Sequence, residues 1–427
     1  MPTPTGPLAG LRVLELTSLA PAPFACTVLS DLGAHVLRIE RAAVRSESAD
    51  TVERAEIADA SVVAPQRHGN HRDAAARVGL VRDESDVPLA PPADPLTRGR
   101  DSIAVDLKDP RAAELILALA ESADVFVEGF RPGVCERLGI GPEECLKRNP
   151  RLVYARMTGY GQDGPMAQRA GHDINYLSLA GALEPLGPAG APPLPPLNYV
   201  ADFGGGGMLL VVGVLAALWE RDRSGQGQVV DASMVEGAAL ITSIVHGLRA
   251  MGLWNVERGA NLFDGSAPFY AAYECSDGRY VAVGALEPRF WALVLSGLGL
   301  DAVPDLPHQH DRSRWPELKA RIAEVFLSRP RDVWAALFAD SDACVTPVLS
   351  PFEAHEHPHN VARGTFVEVG GALQPGPAPR FSRTPGRVAG PSPQPGGGGA
   401  ADLERALAEW GVQASGIAGL RDAGLMG

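Results

Sequence analysis

The chain has 427 residues, 45% of them hydrophobic and 21% charged, with 38 Lys and Arg against 51 Asp and Glu for a formal net charge of −13. This composition is globular rather than disordered or fibrous, and the acidic balance argues against a nucleic-acid partner, since phosphate backbones need a basic face. The length exceeds one ordinary core, so two domains, or a large domain with a satellite, are expected. Any anionic ligand must be met by local arginines and lysines. Cys26, Cys135, Cys145, Cys275 and Cys344 are scattered and form no CxxC pair, which fits a reducing compartment and gives no zinc spacing. The N-terminus lacks the pattern of a signal peptide, and the most apolar run, MLLVVGVLAALW (208–219), is shorter than the ~20 residues that cross a bilayer. A cytoplasmic protein with no membrane span is expected.

In chain order, LRVLEL (11–16) reads as a strand, PFACTVLSDLG (23–33) as a helix closed by Gly33, and HVLRIE (35–40) as a second strand. Together they make a βαβ unit and imply a parallel sheet. The first βα turn, TSLAPAP, contains no glycine, so the dinucleotide fingerprint is missing from a Rossmann-like topology. From about residue 42 to 94 the chain becomes charged and Ala-rich and ends in prolines, as either a helical excursion or a flexible insertion. Alternation resumes with strands at DSIAVDL (101–107), DVFVEGF (124–130) and RLVYARM (151–157) and a helix from about Pro110 to Ala120. Residues 204–254 read as two long helices around a short strand. Residues 267–300 read as two strands across an Asp-Gly turn followed by a helix. After Gly371 a Pro- and Gly-rich return linker leads to a short amphipathic helix at 402–412. The expected division is a large Rossmann-like domain at 1–225, linker helices with a small α+β domain at 226–370, and the return segment at 371–427.

Three places suit acid or base work: His172 with Asp173 in AGHDINYLSLAGAL, Asp202 in VADFGGGGM, and Glu287 in VGALEPRF. Each adjoins apolar sequence, where partial burial moves a carboxylate or imidazole toward neutral pKa. Each also has a plain structural alternative: Asp173 or Asp202 as a helix cap, and Glu287 as a surface residue before Pro288. The glycines at 204–207 either let a substrate oxygen approach backbone N–H groups or let helices pack closely. His355, His357 and His359 lack HExxH spacing, so no metal site is expected. Neither a GxSxG elbow nor a P-loop is present.

The blocks PLAGLRVLEL, SDLGAHVLRIE, VEGFRPGVCERLGIGPEE, YARMTGYGQDGP, AGHDINYLSLAGAL, PPLNYVADFGGGGM, GQVVDASMVEG, DGSAPFYAAYECSDGRYVAVGALEPRFW and DACVTPVL, in this order, resemble the α-methylacyl-CoA racemases of the family III CoA-transferase superfamily. The resemblance implies an interlocked homodimer whose active sites lie between subunits. The substrate would be an acyl-CoA, with the CoA moiety part of the substrate and no prosthetic group. It implies catalytic roles for His172, for Asp202 before the glycine run, and for Glu287 hydrogen-bonded to the histidine. CoA contacts are implied at Arg41, Val105, Asp106, Leu107, Lys108, Gly129, Phe130, Arg131, Arg137, and on the loop Gly171, Asp173, Ile174, Asn175 and Tyr176. In the superfamily's true transferases the aspartate of this motif carries the acyl group and usually follows an aromatic residue. Here a histidine precedes it, which favours proton transfer at the α-carbon over acyl transfer through Asp173. Another enolate-type isomerisation of an acyl-CoA would use the same residues. The 42–94 insertion departs from the family pattern, and the sequence does not specify the acyl chain.

Overall fold

The computed structural model describes residues 6–41, 94–391 and 400–412. The insertion expected at 42–94 lies, but for Asp94, outside them. The contacts divide the chain into two compact units: Met1–Arg169, Gly206–Ser233 and Thr365–Gly427 form the first, and Ala170–Gly205 with Met234–Gly364 the second.

The first unit is built on six parallel strands, β1 (Arg12–Leu16), β2 (His35–Arg41), β3 (Asp101–Val105), β4 (Val125–Glu128), β5 (Val153–Thr158) and β6 (Val229–Ser233), in the order β3-β2-β1-β4-β5-β6. β4 and β5 are buried along their whole length, as expected of a parallel sheet covered on both faces. Leu14, Ile39, Phe126 and Tyr154 share one core with Leu115, Ile116 and Leu119 of helix Pro110–Ser122 and with Leu407 and Trp410 at the C-terminal helix Ala400–Glu409. Helix Met208–Ser224 packs against β5, β6 and helix Pro21–Asp31. It continues a wide, π-helical segment, Tyr199–Gly207, so that Tyr199–Ser224 runs as one helix of 26 residues, long and apolar enough to cross a membrane. The 208–219 run alone understated that length. Its buried side, Leu210, Val211, Val214, Ala217 and Leu218, is a core face, and its buried Arg221 pairs with Asp124 at 3.0 Å.

Two buried ion pairs stiffen the sheet. Glu15 on β1 and Arg100 before β3 are both fully buried and 2.7 Å apart, and burial raises the Glu15 pKa against the pull of Arg100. Arg98 reaches Asp31 at 2.6 Å and Gln374 at 3.0 Å. The latter bond fastens the hairpin of β10 (Phe366–Val369) and β11 (Ala372–Pro375). The hairpin turns through Gly370 and Gly371 at φ +59° and +80°, the left-handed pair that a two-residue type I′ turn demands.

In the second unit β7 (Tyr270–Glu274), β8 (Tyr280–Gly284) and β9 (Val345–Pro347) form an antiparallel sheet in that order. The β7–β8 connection turns at Gly278, φ +71°, as the Asp-Gly pair predicts. Phe269, Tyr273, Trp291, Trp315, Phe326 and Trp334 form its core, supplied in part by helices Pro288–Leu298, Trp315–Phe326 and Arg331–Phe338. The second of the two long helices expected in 204–254 is instead a pair, Met234–Ile241 and Ser243–Ala250. At the break the hydroxyls of Thr242 and Ser243 donate to the carbonyls of Ala239 and Leu240, the local competition that weakens helix continuity.

Candidate active site

In the first unit the residues expected to hold CoA gather at one end of the sheet. Arg41 closes β2 and is the register partner of Val105, which closes β3. Asp106, Leu107 and Lys108 turn from β3 into the next helix, with the Lys108 N–H donating to Asp106 Oδ1 at 3.0 Å. Gly129, Phe130 and Arg131 follow β4, and Arg137 ends the short helix Val134–Arg137. These are the carboxyl ends of strands flanking the β1/β4 boundary, where strand order reverses and open α/β sheets bind ligands. A Cβ on Gly129 would sit 2.7 Å from Ser18 Oγ, so the close approach of the β1 loop requires glycine there. Among the described residues the side chains of Arg41, Lys108, Arg131 and Arg137 take part in no ion pair. Four free cations at one sheet end of an acidic protein suit a polyanionic ligand.

Sequence reasoning missed the groups that hold this end in shape. Glu128 is fully buried, accepts the Phe130 N–H at 2.7 Å and Arg156 Nε at 2.8 Å, and so fixes the Gly129–Arg131 turn. Burial raises its pKa, against the Phe130 N–H and Arg156. Arg156 also reaches Glu136 at 2.8 Å, next to Arg137. Ser18 Oγ and Arg38 Nη1 are buried without a hydrogen-bond partner among the described residues. A carboxylate or guanidinium inside an apolar strand run was the only available signal for Glu128, Arg156 and Arg38.

In the second unit His172 stands just before helix Asp173–Leu179 in extended backbone, φ −132° and ψ 174°. Its N–H donates to Asn175 Oδ1 at 3.0 Å, and the Tyr176 hydroxyl donates to the Gly171 carbonyl, so the loop Gly171–Tyr176 is internally braced. His172, Ile174 and Asn175 are exposed, whereas Asp173 is 5% exposed. Asp173 does cap a helix, but not its own: Oδ2 accepts the N–H groups of Ala201 and Asp202 at 2.7 and 2.8 Å, two donors that the start of helix Tyr199–Ser224 leaves without intrahelical acceptors. Asp202 is thereby held beside the residue that follows His172. Burial raises the Asp202 pKa; Asn198, donating to its Oδ2 at 3.3 Å, opposes this, Asp173 adds to it, and the nearby His172 charge opposes it.

The structure therefore brings His172, Asp173 and Asp202 together. Glu287 begins helix Pro288–Leu298 as an exposed residue, and no hydrogen bond joins it to His172 among the described residues. The glycine run serves packing: a Cβ on Gly205 would lie 2.7 Å from Ala238 N, and one on Gly237 1.8 Å from Gly205 O. A cavity of about 430 Å³ lies on the β7–β8–β9 sheet, lined by Phe263, Tyr270, Val283, Cys344 and Thr346. It includes neither His172 nor Asp202. His357 caps helix Pro358–Arg363 through its ring, accepting the His359 N–H at 3.3 Å.

A chain with this doubly wound sheet and paired titratable loop belongs to the CoA-transferase family III, whose model matches residues 8–398. It is similar to the α-methylacyl-CoA racemase of Mus musculus, 43% identical over 379 residues, 88% of this chain and 87% of that protein. The α-methylacyl-CoA racemase of Homo sapiens is 40% identical over the same shares. Among solved structures, the orthorhombic form of Rv3272 from M. tuberculosis superposes with a TM-score of 0.68 at 28% identity, covering 92% of this chain and 97% of that one.

Proposed function

We propose that this chain is an isomerase that inverts the α-carbon of 2-methylacyl-CoA thioesters by 1,1-proton transfer. One observation carries the reading: an imidazole and a carboxyl group of raised pKa, His172 and Asp202, meet at the starts of two helices joined through Asp173. The similarity to the two racemases points the same way. One group removes the α-proton, the electron pair moves onto the thioester oxygen as an enolate, and the other group returns a proton to the opposite face. Burial raises the Asp202 pKa above the ordinary carboxylate value, the direction that favours its taking part as acid in one direction as well as base in the other. Arg41, Lys108, Arg131 and Arg137 would receive the CoA phosphates, and CoA enters and leaves as part of the substrate. The transferase alternative is disfavoured by Asp173 itself, since its carboxylate is 5% exposed and one oxygen is engaged by two N–H groups, whereas a nucleophile must reach the thioester.

The homodimer belongs to the same reading. Leu197, Tyr199, Leu240 and Ile244 of the second unit are 64%, 60%, 61% and 57% exposed, apolar surface that a partner chain would cover, and His172 is open to solvent. Glu287, unpaired with His172 in its own chain, would then support the histidine of the partner. The five free cysteines suit a reducing cytoplasm.

The test is α-proton exchange of 2-methylacyl-CoA esters in deuterated water, followed by NMR. His172→Ala and Asp202→Ala should each abolish exchange; a variant exchanging at the wild-type rate removes its residue from the mechanism. Co-expression of His172→Ala with Glu287→Ala chains should recover activity if each site draws on both subunits, because one site of the mixed dimer is then intact. No recovery would confine Glu287 to its own chain's site.

A further inference from the structure

Beyond the CoA contact that the family resemblance implies for its loop, Asp173 has no assigned task once acyl transfer is set aside, yet its carboxylate is closely held. One oxygen takes two backbone N–H groups. The other, Oδ1, is buried and has no hydrogen-bond partner among the described residues, an arrangement that costs about 1–3 kcal/mol. An amide side chain in the same place could cap the same N–H groups and leave no buried charge. A fold that needed only the cap has no reason to keep the carboxylate.

We propose that Asp173 is a positioning residue of the proton-transfer pair: its bonded oxygen fixes the backbone of Asp202 relative to His172, and its unsatisfied oxygen keeps a negative charge beside both. The inference rests on the racemase reading above. The chain geometry supports the first half. His172 and Asp173 are adjacent, and Asp173 binds the N–H of Asp202 itself, so a single side chain sets the separation of the two groups that must flank one carbon. The electrostatics support the second half. The Asp173 charge pushes the Asp202 pKa up, in addition to the larger effect of burial. Asp173 thus acts on the acid–base behaviour of Asp202 as well as on its position. Capping the helix start also leaves the peptide dipole partly neutralised by Asp173 rather than by Asp202.

Two variants separate the halves. Asp173→Asn retains a carbonyl oxygen for the Ala201 and Asp202 N–H groups and removes the charge. Asp173→Ala removes both. With kcat for α-proton exchange measured from pH 4 to 9, Asp173→Asn should shift the acid limb to lower pH, because Asp202 loses a neighbour that raises its pKa. Asp173→Ala should lower kcat about 100-fold, the scale of a misplacement near 1 Å, with KM for the thioester unchanged. An unshifted acid limb in Asp173→Asn overturns the charge role, and wild-type kcat in Asp173→Ala overturns the positioning role. If Asp173→Ala does not fold, as judged by circular dichroism, Asp173→Glu decides instead: it keeps the charge but displaces the carboxylate, and an unchanged kcat overturns positioning. Wild-type protein that exchanges no 2-methylacyl-CoA ester fails the racemase reading. The Asp173 inference fails separately, only where wild type is active and the variants match it.

Discussion

At the scale of single residues, the pair that matters is held by neighbours acting on Asp202 in opposite senses. Asn198 donates to Asp202 Oδ2 at 3.3 Å and lowers its pKa, against the upward push of burial and of Asp173. A raised carboxyl pKa means that the ionised form, needed when Asp202 acts as base, is lost as pH falls through the raised value. Asn198→Ala removes a hydrogen bond that holds that value down, so the acid limb of the exchange profile should move to higher pH, opposite to the shift expected of Asp173→Asn. A shift in the same direction for both variants would mean that Asp202 does not govern the acid limb. His172, Asp202 and Glu287 were legible in the sequence as titratable residues beside apolar runs. Their supports were not. Asn198 lies in a Pro- and Leu-rich loop with no pattern, and the cap from Asp173 to Ala201 and Asp202 spans 28 and 29 residues, beyond the reach of local spacing.

At the scale of elements, the βαβ opening, the six strands' main runs and the Asp-Gly hairpin were readable because each rests on local chemistry: alternation of strand and helix, continuous apolar runs, and a turn residue that accepts positive φ. The glycine run left two readings open, and contact geometry separates them. Residues 199–207 form the wide first turns of a long helix, and Gly205 and Gly237 lie where two helix starts meet backbone to backbone. A wide turn of this kind is uncommon and concentrates at functional sites; here its N-terminus bears Asp202. Gly237→Ala would place a Cβ 1.8 Å from the Gly205 carbonyl oxygen, a contact that only backbone movement relieves. The expected cost is about 1–3 kcal/mol or more, read as a lower midpoint in urea, accompanied by a loss of kcat because the displaced segment carries Asp202. Gly213→Ala offers the contrast: its Cβ would meet only the Val230 side chain, which can rotate, so it should be milder in both respects. Equal losses for the two variants would separate stability from the site. The break at Thr242 escaped the sequence reading because helix periodicity continues across it, while hydroxyl-to-carbonyl bonds interrupt the backbone.

At the scale of the whole first unit, helix Ala400–Glu409 docks on the edge of the sheet. Helix Ala400–Glu409 contacts β3, Trp410 is 1% exposed and lies 5.6 Å from the His35 ring, centroid to centroid, and the Trp410 carbonyl accepts from Ser122 Oγ at 2.9 Å. The polar clamp is Asp101. It meets His35 Nε2 at 2.8 Å and Arg405 Nη2 at 3.6 Å, while Arg405 also pairs with Glu409 at 3.4 Å. His35, Asp101 and Glu409 are spaced as metal ligands could be, but the Arg405 guanidinium pairs with both carboxylates and sets a positive charge where a cation would have to bind. The hydrogen bond from His35 lowers the Asp101 pKa, burial opposes this, and Arg405 adds to the lowering. For a carboxylate with a depressed folded pKa, the stabilisation is fully present above the unfolded value, about 3.9, and is lost as pH falls through the lower folded value. The C-terminal helix should therefore stay docked down to about pH 4 and loosen below it. Limited proteolysis with pepsin over pH 2 to 5 would follow this as release of a C-terminal fragment, with Asp101→Asn releasing it across the whole range because its clamp no longer titrates. Cleavage that is independent of pH in the wild type would assign the anchoring to groups that do not titrate, the buried Leu407 and Trp410 and the Ser122 hydrogen bond.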